Sequence, residues 1–376
     1  MRYRIEKDNL GEKKVPAEAY YGIGSFRSKE VYQITKHGLN RQMIKSFANI
    51  KKTAAKTNSD LGYLDKEKGK AIVLACEEIL NGRLHGQFIT DVVQGGFGDA
   101  MNTNANEVIA NRANELLGGE KGKYDLISRE DLNLNQNSFE VVLIAGKLSI
   151  IRQTKKLLTE AKKLFNSFYY KIDEYDLSRY EDYSIGQQLH SFGDKLDRNM
   201  KRINTSLNSL LEVSISARDL PAEQESLYLR KFIKYLVQHS GEAVFLSKNI
   251  LDNKQNLDSI AWVSSSIKML GADLSKTATD LKLLDKTGKV IIPDVDTAGH
   301  YVVIDMVKQV SFYIMGNDLT ISRTIESGEL EENAYLPIIY ACIFEMLNMV
   351  RRMMRTLREQ LIENLVIVGH EKNPVE

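Results

Sequence analysis

One stretch in the first half of the chain, SFEVVLIAGKLSIIRQTKKLLTEAKKLFNS from Ser138 to Ser167, indicates the kind of fold to expect. It contains no proline, and Gly146 is its only glycine, so little in it would break a helix. Its apolar residues recur at the three- and four-residue spacing of one helix face: Val141, Val142, Ile144, Ala145, Leu148, Ile151 and Leu157. The stretch therefore predicts one long amphipathic helix.

The chain after this stretch shows the same periodicity several more times. Further helices are expected at about Gly186–Ile215, Ala222–Leu251, Leu257–Leu284, Val302–Ile325 and Ala334–Val366. At about 1.5 Å per residue such helices are each about 40 Å long. Helices of this length usually form an elongated bundle, and they often bury their remaining apolar faces in an oligomer. The fold class predicted is therefore all-α.

The first 130 residues differ from the rest, because they contain shorter periodic segments, more glycine and several polar turns. We predict a small helical N-terminal domain over residues 1–131. A central long-helix bundle over residues 132–366 would form the oligomerisation core, and residues 367–376 would form a tail. The adjacent lysines Lys51-Lys52 and Lys162-Lys163 are interpreted as solvated helix faces.

Composition excludes several classes of function. The 376 residues include 51 Lys and Arg against 50 Asp and Glu, a formal net charge of +1, which argues against nucleic acid as a partner. No run of 18 apolar residues occurs and the N-terminus is charged, so neither a membrane span nor a secretory leader is predicted. The two cysteines, Cys76 and Cys342, lie in apolar helical contexts and favour a reducing, cytoplasmic location.

Four segments in chain order resemble the aspartase/fumarase superfamily, and within it the aspartate ammonia-lyases. They are RIEKDNLGEKKVPAEAYYGIGSFRS (Arg4–Ser28), QGGFGDAMNTNANEVIANRANELLG (Gln94–Gly118), LLEVSISA (Leu210–Ala217) and QVSFYIMGNDLTISRTIESGELEENAYLPIIYACIFE (Gln309–Glu345). The most specific match is NANEVIANRA at Asn104–Ala113. Most of that motif is scaffold in the family, where asparagine amides and a Glu–Arg pair connect helices.

The resemblance implies a fold and an activity. The fold is a helical N-terminal domain, a central five-helix bundle and a tetrameric helical core, with each active site at a junction of three subunits. The activity is reversible β-elimination, which converts L-aspartate to fumarate and ammonia. A base removes the proton next to a carboxylate, and hydrogen-bond donors stabilise the second negative charge that develops. The partner implied is a second copy of the chain, as in a homotetramer, or a full-length aspartase-like paralogue in a heteromer.

The first substrate turn departs from the family pattern. The family has Thr-Ser or Ser-Ser after its QGG-G segment, whereas this chain has Asp99, Ala100 and Met101, followed by Asn102. A carboxylate at Asp99 would meet a substrate carboxylate at close range. Two like charges about 4 Å apart in a partly buried site repel each other by several kcal/mol. This change argues against aspartate binding in the usual pose.

The second substrate turn, QS-TND--PTA in the family, reads QNSFEVVLIA at Gln136–Ala145. Ser138 keeps a hydroxyl at its position. Phe139 replaces the amide expected to contact the amino group of the substrate, and Glu140 replaces an aspartate. Asp99, Ala100, Met101, Asn102, Ser138, Phe139 and Glu140 are therefore the residues that would line the former substrate site.

Two further elements of the family pattern have no counterpart here. The threonine-bearing turn before the third family segment is absent, because the chain passes from Tyr183 and Ser184 directly into the helix at Gly186. The loop that carries the catalytic serine is absent too, since no serine occurs between Ser275 and Ser311. The small C-terminal domain of the family also has no counterpart in the sequence.

Two residues remain as weak candidates for the missing base, Ser138 and His300. A histidine titrates near neutral pH and suits the role, but the plainer interpretation of His300 is a solvated loop residue. No cofactor is predicted, and the scattered Asp and His residues near His300 are too few to predict a metal site. The sequence favours a catalytically degenerate, aspartase-like protein with a structural, regulatory or heteromeric role. An active carbon–nitrogen lyase with a rebuilt site is the alternative.

Overall fold

The computed structural model describes residues 2–177, 184–217, 219–295, 297 and 299–373. Helices dominate, which confirms the all-α prediction. The α-helices of the described residues are α1 (Ile23–Val31), α2 (Arg41–Leu61), α3 (Lys66–Leu80), α4 (Asp99–Leu116), α5 (Ser138–Glu174), α6 (Ile185–Asn208), α7 (Ala222–Ser240), α8 (Ile250–Gln255), α9 (Asp258–Lys286), α10 (Val302–Ile325) and α11 (Leu336–Thr356). The strands are β1 (Tyr3–Asp8), β2 (Gly11–Pro16), β3 (Glu212–Val213), β4 (Phe245–Leu246), β5 (Val290–Ile291) and β6 (Val366–Ile367).

The predicted helices are confirmed, and three of them end earlier than expected, among them the helix predicted to reach Val366, which is α-helical to Thr356. The prediction for α10 matches its observed bounds, and the prediction for α9 is within two residues at each end. The helix predicted to reach Leu251 ends at Ser240, because Gly241 adopts the left-handed conformation (φ 72°) and its N–H caps the Val237 carbonyl. The helix predicted to reach Ile215 ends at Asn208, and its last predicted residues form β3 instead.

The N-terminal segment contains a β-hairpin that the sequence analysis missed. β1 and β2 pair antiparallel, with a register from Tyr3↔Pro16 to Asp8↔Gly11. The hairpin is closed by the Arg4 side chain, which donates hydrogen bonds to four backbone carbonyls, at 2.7 Å for that of Ala19. Most residues of the two strands are charged, so the apolar alternation that normally identifies a strand is missing.

Two compact units can be distinguished by their contacts. The first consists of Met1–Ile150, Leu210–Leu257 and Arg323–Ala341, and the second of Ile151–Ser209, Asp258–Ser322 and Cys342–Glu376. These units group chain segments by contact, whereas the sequence divides them at residue 131, so the sequence-based domains stay a prediction. Residues 374–376 of the predicted tail lie outside the described residues.

In the first unit α2 packs on α3 and α7, and α4 packs on α1 and α3. The NANEVIANRA motif lies on α4 and holds this packing together. The buried Glu107 carboxylate accepts backbone N–H bonds from Gly22, Gly24 and Ser25 at 2.8–3.0 Å, which fixes the start of α1. Arg112 pairs with Glu78 of α3 at 2.7 Å. The prediction that the motif is scaffold agrees with these contacts.

In the second unit α6 packs on α9, and β5 pairs antiparallel with β6. The buried Asp318 of α10 accepts hydrogen bonds from Ser264 at 2.7 Å and from Lys268 at 2.5 Å, both on α9. After α11 the helix widens into a π-helical turn, Leu357–Ile362. Among the described residues no helix combines the length and the apolar composition needed to cross a bilayer.

The glycine in the stretch that predicted α5 has a packing role. A Cβ atom added at Gly146 would overlap the ring of Tyr340, a buried side chain. We expect Gly146→Ala to lower the free energy of unfolding by about 1–3 kcal/mol, the usual cost of overpacking a core. Gly86 is the control, because it lies in the short 3₁₀ turn His85–Gln87 and has open space around its Cα. Gly86→Ala should raise stability by about 0.4–1 kcal/mol in the same urea titration, and equal effects of the two substitutions would contradict the packing argument.

Candidate active site

The first substrate turn lies where a glycine-rich turn leads into α4. Gly98 adopts a left-handed conformation (φ 90°) and precedes the helix, which begins at Asp99. Asp99 is exposed and Ala100 half-buried, whereas Met101 and Asn102 are buried. A carboxylate in the first turn of a helix is favourable, because it faces the positive end of the helix dipole. The position of Asp99 is therefore explained by helix stability alone.

The two substrate turns meet through a hydrogen bond. The Asn102 amide on α4 donates to Ser138 Oγ, at the start of α5, at 3.0 Å, and to Asn133 Oδ1 at 3.2 Å. Asn106, one helical turn further along α4, donates to the same Asn133 oxygen at 3.1 Å. The structure therefore brings Asn102 and Ser138, one residue from each substrate turn, into contact. That either residue contacts a substrate stays a prediction.

The Glu140 side chain forms hydrogen bonds and an ion pair with residues of its own chain. Its buried carboxylate accepts hydrogen bonds from the Ser216 N–H and Oγ, both at 2.8 Å, and forms an ion pair with Lys254 at 3.4 Å. Lys254, itself 4% exposed, also pairs with Glu331 at 3.1 Å. Carboxylate and ammonium therefore satisfy each other inside the first unit, which is what a buried charge requires.

Phe139 contributes a buried aromatic ring to the same region. Its buried ring packs edge-on against Phe97, with centroids 5.6 Å apart, and the Lys254 ammonium lies 5.9 Å from its centroid. The ring thus lies directly beside the buried Glu140–Lys254 pair. The ring supplies no hydrogen bond that could orient a substrate amino group.

Lys51 is a residue of this region that the sequence analysis placed wrongly. It was interpreted as part of a solvated helix face, but it is fully buried. Its Nζ donates to the Leu132 carbonyl at 3.1 Å, to Asn133 Oδ1 at 2.8 Å and to Gln136 Oε1 at 3.3 Å. Burial lowers the pKa of Lys51 from 10.5 to about 7, and the Cys76 thiol and the Asp99 carboxylate oppose that shift only in part. The sequence alone does not distinguish Lys51 from the adjacent Lys52. Lys52 is partly exposed and pairs with Glu77.

His300 lies in the second unit, in the loop before α10. Its Nδ1 bonds to Asp294 at 2.6 Å and its Nε2 to Asp285 at 3.2 Å. The hydrogen bond with Asp294 is the main cause that raises the pKa of His300, and Asp285 adds to it. Asp285 also accepts from the Tyr301 hydroxyl at 2.7 Å. The ring thus bridges two carboxylates, one at each of its nitrogens.

The third substrate turn was predicted to be absent directly before α6. Ser184 caps α6, because its hydroxyl accepts the Gln187 N–H at 3.2 Å. Tyr183, named in the sequence analysis beside it, lies outside the described residues. The Ser184 hydroxyl is thus used as a helix cap.

Comparison with known proteins places this architecture in a family. A family model described as "Lyase" matches residues 11–299. The aspartate ammonia-lyase of Bacillus subtilis (strain 168) is 32% identical, over 96% of this chain and 82% of that protein. The crystal structure titled fumarate lyase:delta crystallin from Brucella melitensis, bound to cobalt, superposes with a TM-score of 0.92 at 30% identity, over 98% of this chain and 85% of that one. The chain belongs to the aspartase/fumarase superfamily of lyases.

A more distant member of the same fold supports the architecture only. The class II fumarase of Schistosoma mansoni superposes with a TM-score of 0.90 at 22% identity, over 98% of this chain and 85% of that one. The resemblance seen in the four sequence segments is confirmed by the family model and by the two relatives described above, which match most of the chain. The departures at Asp99, Phe139 and the loop of His300 stay predictions from the sequence.

Proposed function

We propose that this protein is a catalytically degenerate member of the superfamily that keeps the helical core and acts as a structural, regulatory or heteromeric partner. The observation that carries the proposal is that both candidate bases are engaged in internal bonds. The Asn102 amide donates to Ser138 Oγ, and both ring nitrogens of His300 bond to carboxylates. A neutral serine hydroxyl held by a neutral amide is a weak base, and an imidazole held between two carboxylates is not free to accept a carbon-bound proton.

The charges around Ser138 and His300 also argue against either residue acting as a base. A serine can act as a base only if a nearby cation stabilises its alkoxide form. Within the described residues no cationic side chain hydrogen-bonds to Ser138, whose partner is the neutral Asn102 amide. The carboxylates that raise the pKa of His300 favour its protonated form, which has no proton-accepting nitrogen.

The proposal predicts that purified protein will not convert L-aspartate to fumarate. Loss of a positioned base alone costs about 10²–10⁴-fold in rate. The lost carboxylate turns add to this, so we expect turnover at least about 10⁴-fold below that of the Bacillus subtilis aspartate ammonia-lyase. Ultraviolet absorbance of fumarate measures this directly, with the Bacillus enzyme as positive control. Turnover within about tenfold of that control would refute the proposal.

An active carbon–nitrogen lyase with a rebuilt site is the second candidate, and one observation favours it. Lys51, with a pKa near 7, is in part an unprotonated amine at neutral pH, and it is linked through Asn133 and Asn102 to Ser138. If fumarate or a related product forms, Lys51→Met and Ser138→Ala should each lower kcat by about 10²-fold or more. Lys52→Met is the control that should leave kcat unchanged.

We further propose a homo-oligomer located in the cytoplasm. Two helices of the second unit each present an exposed apolar stripe, Trp262, Met269 and Leu283 on α9 and Phe312, Met315 and Leu319 on α10. Stripes of this kind are typical of subunit interfaces. Cys76 and Cys342 are free and buried, as suits a reducing compartment. Native mass spectrometry should give a tetramer of the 42.7 kDa chain, and a monomer at micromolar concentration would contradict the homo-oligomer.

A further inference from the structure

The turn between α10 and α11 carries an exposed leucine, Leu330. Leu330 lies between Glu329 and Glu332, whose backbones bridge to each other at 2.9 and 3.2 Å. Its side chain is 83% exposed, the highest value among the large hydrophobic residues that the structure describes, and its φ is +50°. Residues other than glycine rarely adopt that left-handed conformation, because it brings Cβ too close to a backbone carbonyl oxygen. The turn thus holds an apolar side chain away from the body of the protein at an energetic cost.

Two unpaired acids flank this leucine. The side chains of Glu329 and Glu332 are exposed, and in the described part of the chain neither forms an ion pair with a cation. The neighbouring acids differ, because Glu331 pairs with Lys254 and Glu326 with Arg323. We call Glu329–Glu332 the acidic turn. Its two free carboxylates and its leucine are all available to a partner.

A pocket with the opposite charge lies at the end of α1. Its volume is about 220 Å³, larger than a leucine side chain, and its lining includes Lys29, Tyr32, Lys36, His37, Ile89 and Asp91. Lys29 and Lys36 are exposed, and across the described ranges neither forms an ion pair. We call this cavity the α1 pocket.

The one acid of the α1 pocket is already satisfied by backbone donors. The Asp91 carboxylate accepts the N–H groups of Thr35, Lys36 and Val93, each at 2.9 Å. These bonds lower the pKa of Asp91 against the opposing effect of its burial. Asp91 is therefore occupied with holding the loop after α1, and the lysines at the rim keep their positive charge for another partner.

We propose that the acidic turn of one copy docks into the α1 pocket of a second copy, with Leu330 in the cavity and Glu329 and Glu332 facing Lys29 and Lys36. The proposal rests on the homo-oligomer proposed above. An apolar anchor in a pocket, surrounded by opposite charges at the rim, is the usual anatomy of a specific contact. The chain as a whole is nearly neutral, so the charge complementarity is a property of these two surfaces and not of the whole chain.

The turn and the pocket are different surfaces of one chain. In a closed assembly each copy then gives its turn to one neighbour and receives a turn from the same or another neighbour. Every copy therefore uses both surfaces, and a substitution on either surface affects all contacts of this type at once. This makes a charge-exchange experiment with a single gene possible.

The test measures subunit dissociation of the full chain by mass photometry and sedimentation velocity, over a range of protein concentrations at low salt. Glu329→Lys/Glu332→Lys and Lys29→Glu/Lys36→Glu should each raise the dissociation constant at least about tenfold, since like charges then face each other. The chain carrying all four substitutions should return to within about threefold of wild type. Leu330→Ala should weaken assembly about tenfold without any change in charge.

Lys234→Glu/Lys248→Glu is the matched control, because both lysines are exposed, and neither belongs to the acidic turn or lines the α1 pocket. It should leave the dissociation constant unchanged. Failure of the fourfold variant to recover, or wild-type assembly by both charge-reversed variants, would overturn the docking proposal while leaving the homo-oligomer intact. A wild-type chain that stays monomeric would overturn both, and the fumarate assay reports on catalytic degeneracy independently.

Discussion

Lys254→Met is expected to lower the free energy of unfolding by about 3–5 kcal/mol, among the largest effects of any single substitution in this chain. The Lys254 ammonium is the only cation in ion-pair contact with the Glu140 carboxylate among the described residues, at 3.4 Å, and both side chains are almost fully buried. Methionine has a similar volume, so little packing is lost. The cost arises because a buried carboxylate remains without a counter-charge.

A double-mutant cycle separates that cost from a loss of packing. Glu140→Gln/Lys254→Met removes both charges, so the double variant should be less destabilised than the sum of the single variants by at least about 2 kcal/mol. Lys70→Met is the control, because its ion pair with Glu67 is about 70% exposed and should contribute less than about 1 kcal/mol. Urea denaturation at neutral pH measures all four variants. Additive losses would show that the charges act independently.

The same pair illustrates what the sequence could and could not predict about this site. The periodicity of α5 identified the helix that carries Ser138, Phe139 and Glu140, because helical spacing is a local property. The partner of Glu140 could not be found in this way, since Lys254 lies more than a hundred residues away on the short helix α8. Its role is fixed by tertiary packing, which leaves no mark on local spacing.

Lys51 shows a second limit of prediction from the sequence, because a residue predicted to be solvated is buried. Charge patterning assigned both members of the pair Lys51-Lys52 to solvent, yet adjacent residues on a helix point about 100° apart. One of them can therefore face the core while the other faces water. The resemblance to a known family predicted the fold and the scaffold motif on α4 correctly, because those follow from many residues together. The hairpin of β1 and β2 was missed because its strands are charged on both faces.

The wild-type protein is expected to gain stability as the pH rises from about 7 towards 10.5, and Lys51→Met should remove that gain. Burial lowers the pKa of Lys51 from 10.5 to about 7. Between these values the unfolded chain binds a proton at this lysine that the native state does not. Stability therefore rises with pH there, by about 1.4 kcal/mol per pH unit and by about 5 kcal/mol in total. Below pH 7 the lysine is protonated in both states, so its contribution is constant.

The decisive quantity is the difference in unfolding free energy between wild type and Lys51→Met, measured by urea denaturation at pH 6, 7, 8 and 9. We expect the difference to be flat between pH 6 and 7 and then to grow in favour of wild type by about 1.4 kcal/mol per unit. Methionine also leaves the acceptors of Leu132, Asn133 and Gln136 unpaired, which adds a constant loss at every pH. Lys52→Met is the control, because it removes the neighbouring lysine, which is partly exposed and paired with Glu77, and keeps Lys51 in place. This variant should therefore retain the pH dependence that Lys51 gives to wild type. A Lys51→Met curve parallel to wild type from pH 6 to 9 would mean that the buried amine keeps its proton throughout, and the amine would then be unavailable as a base in any rebuilt site.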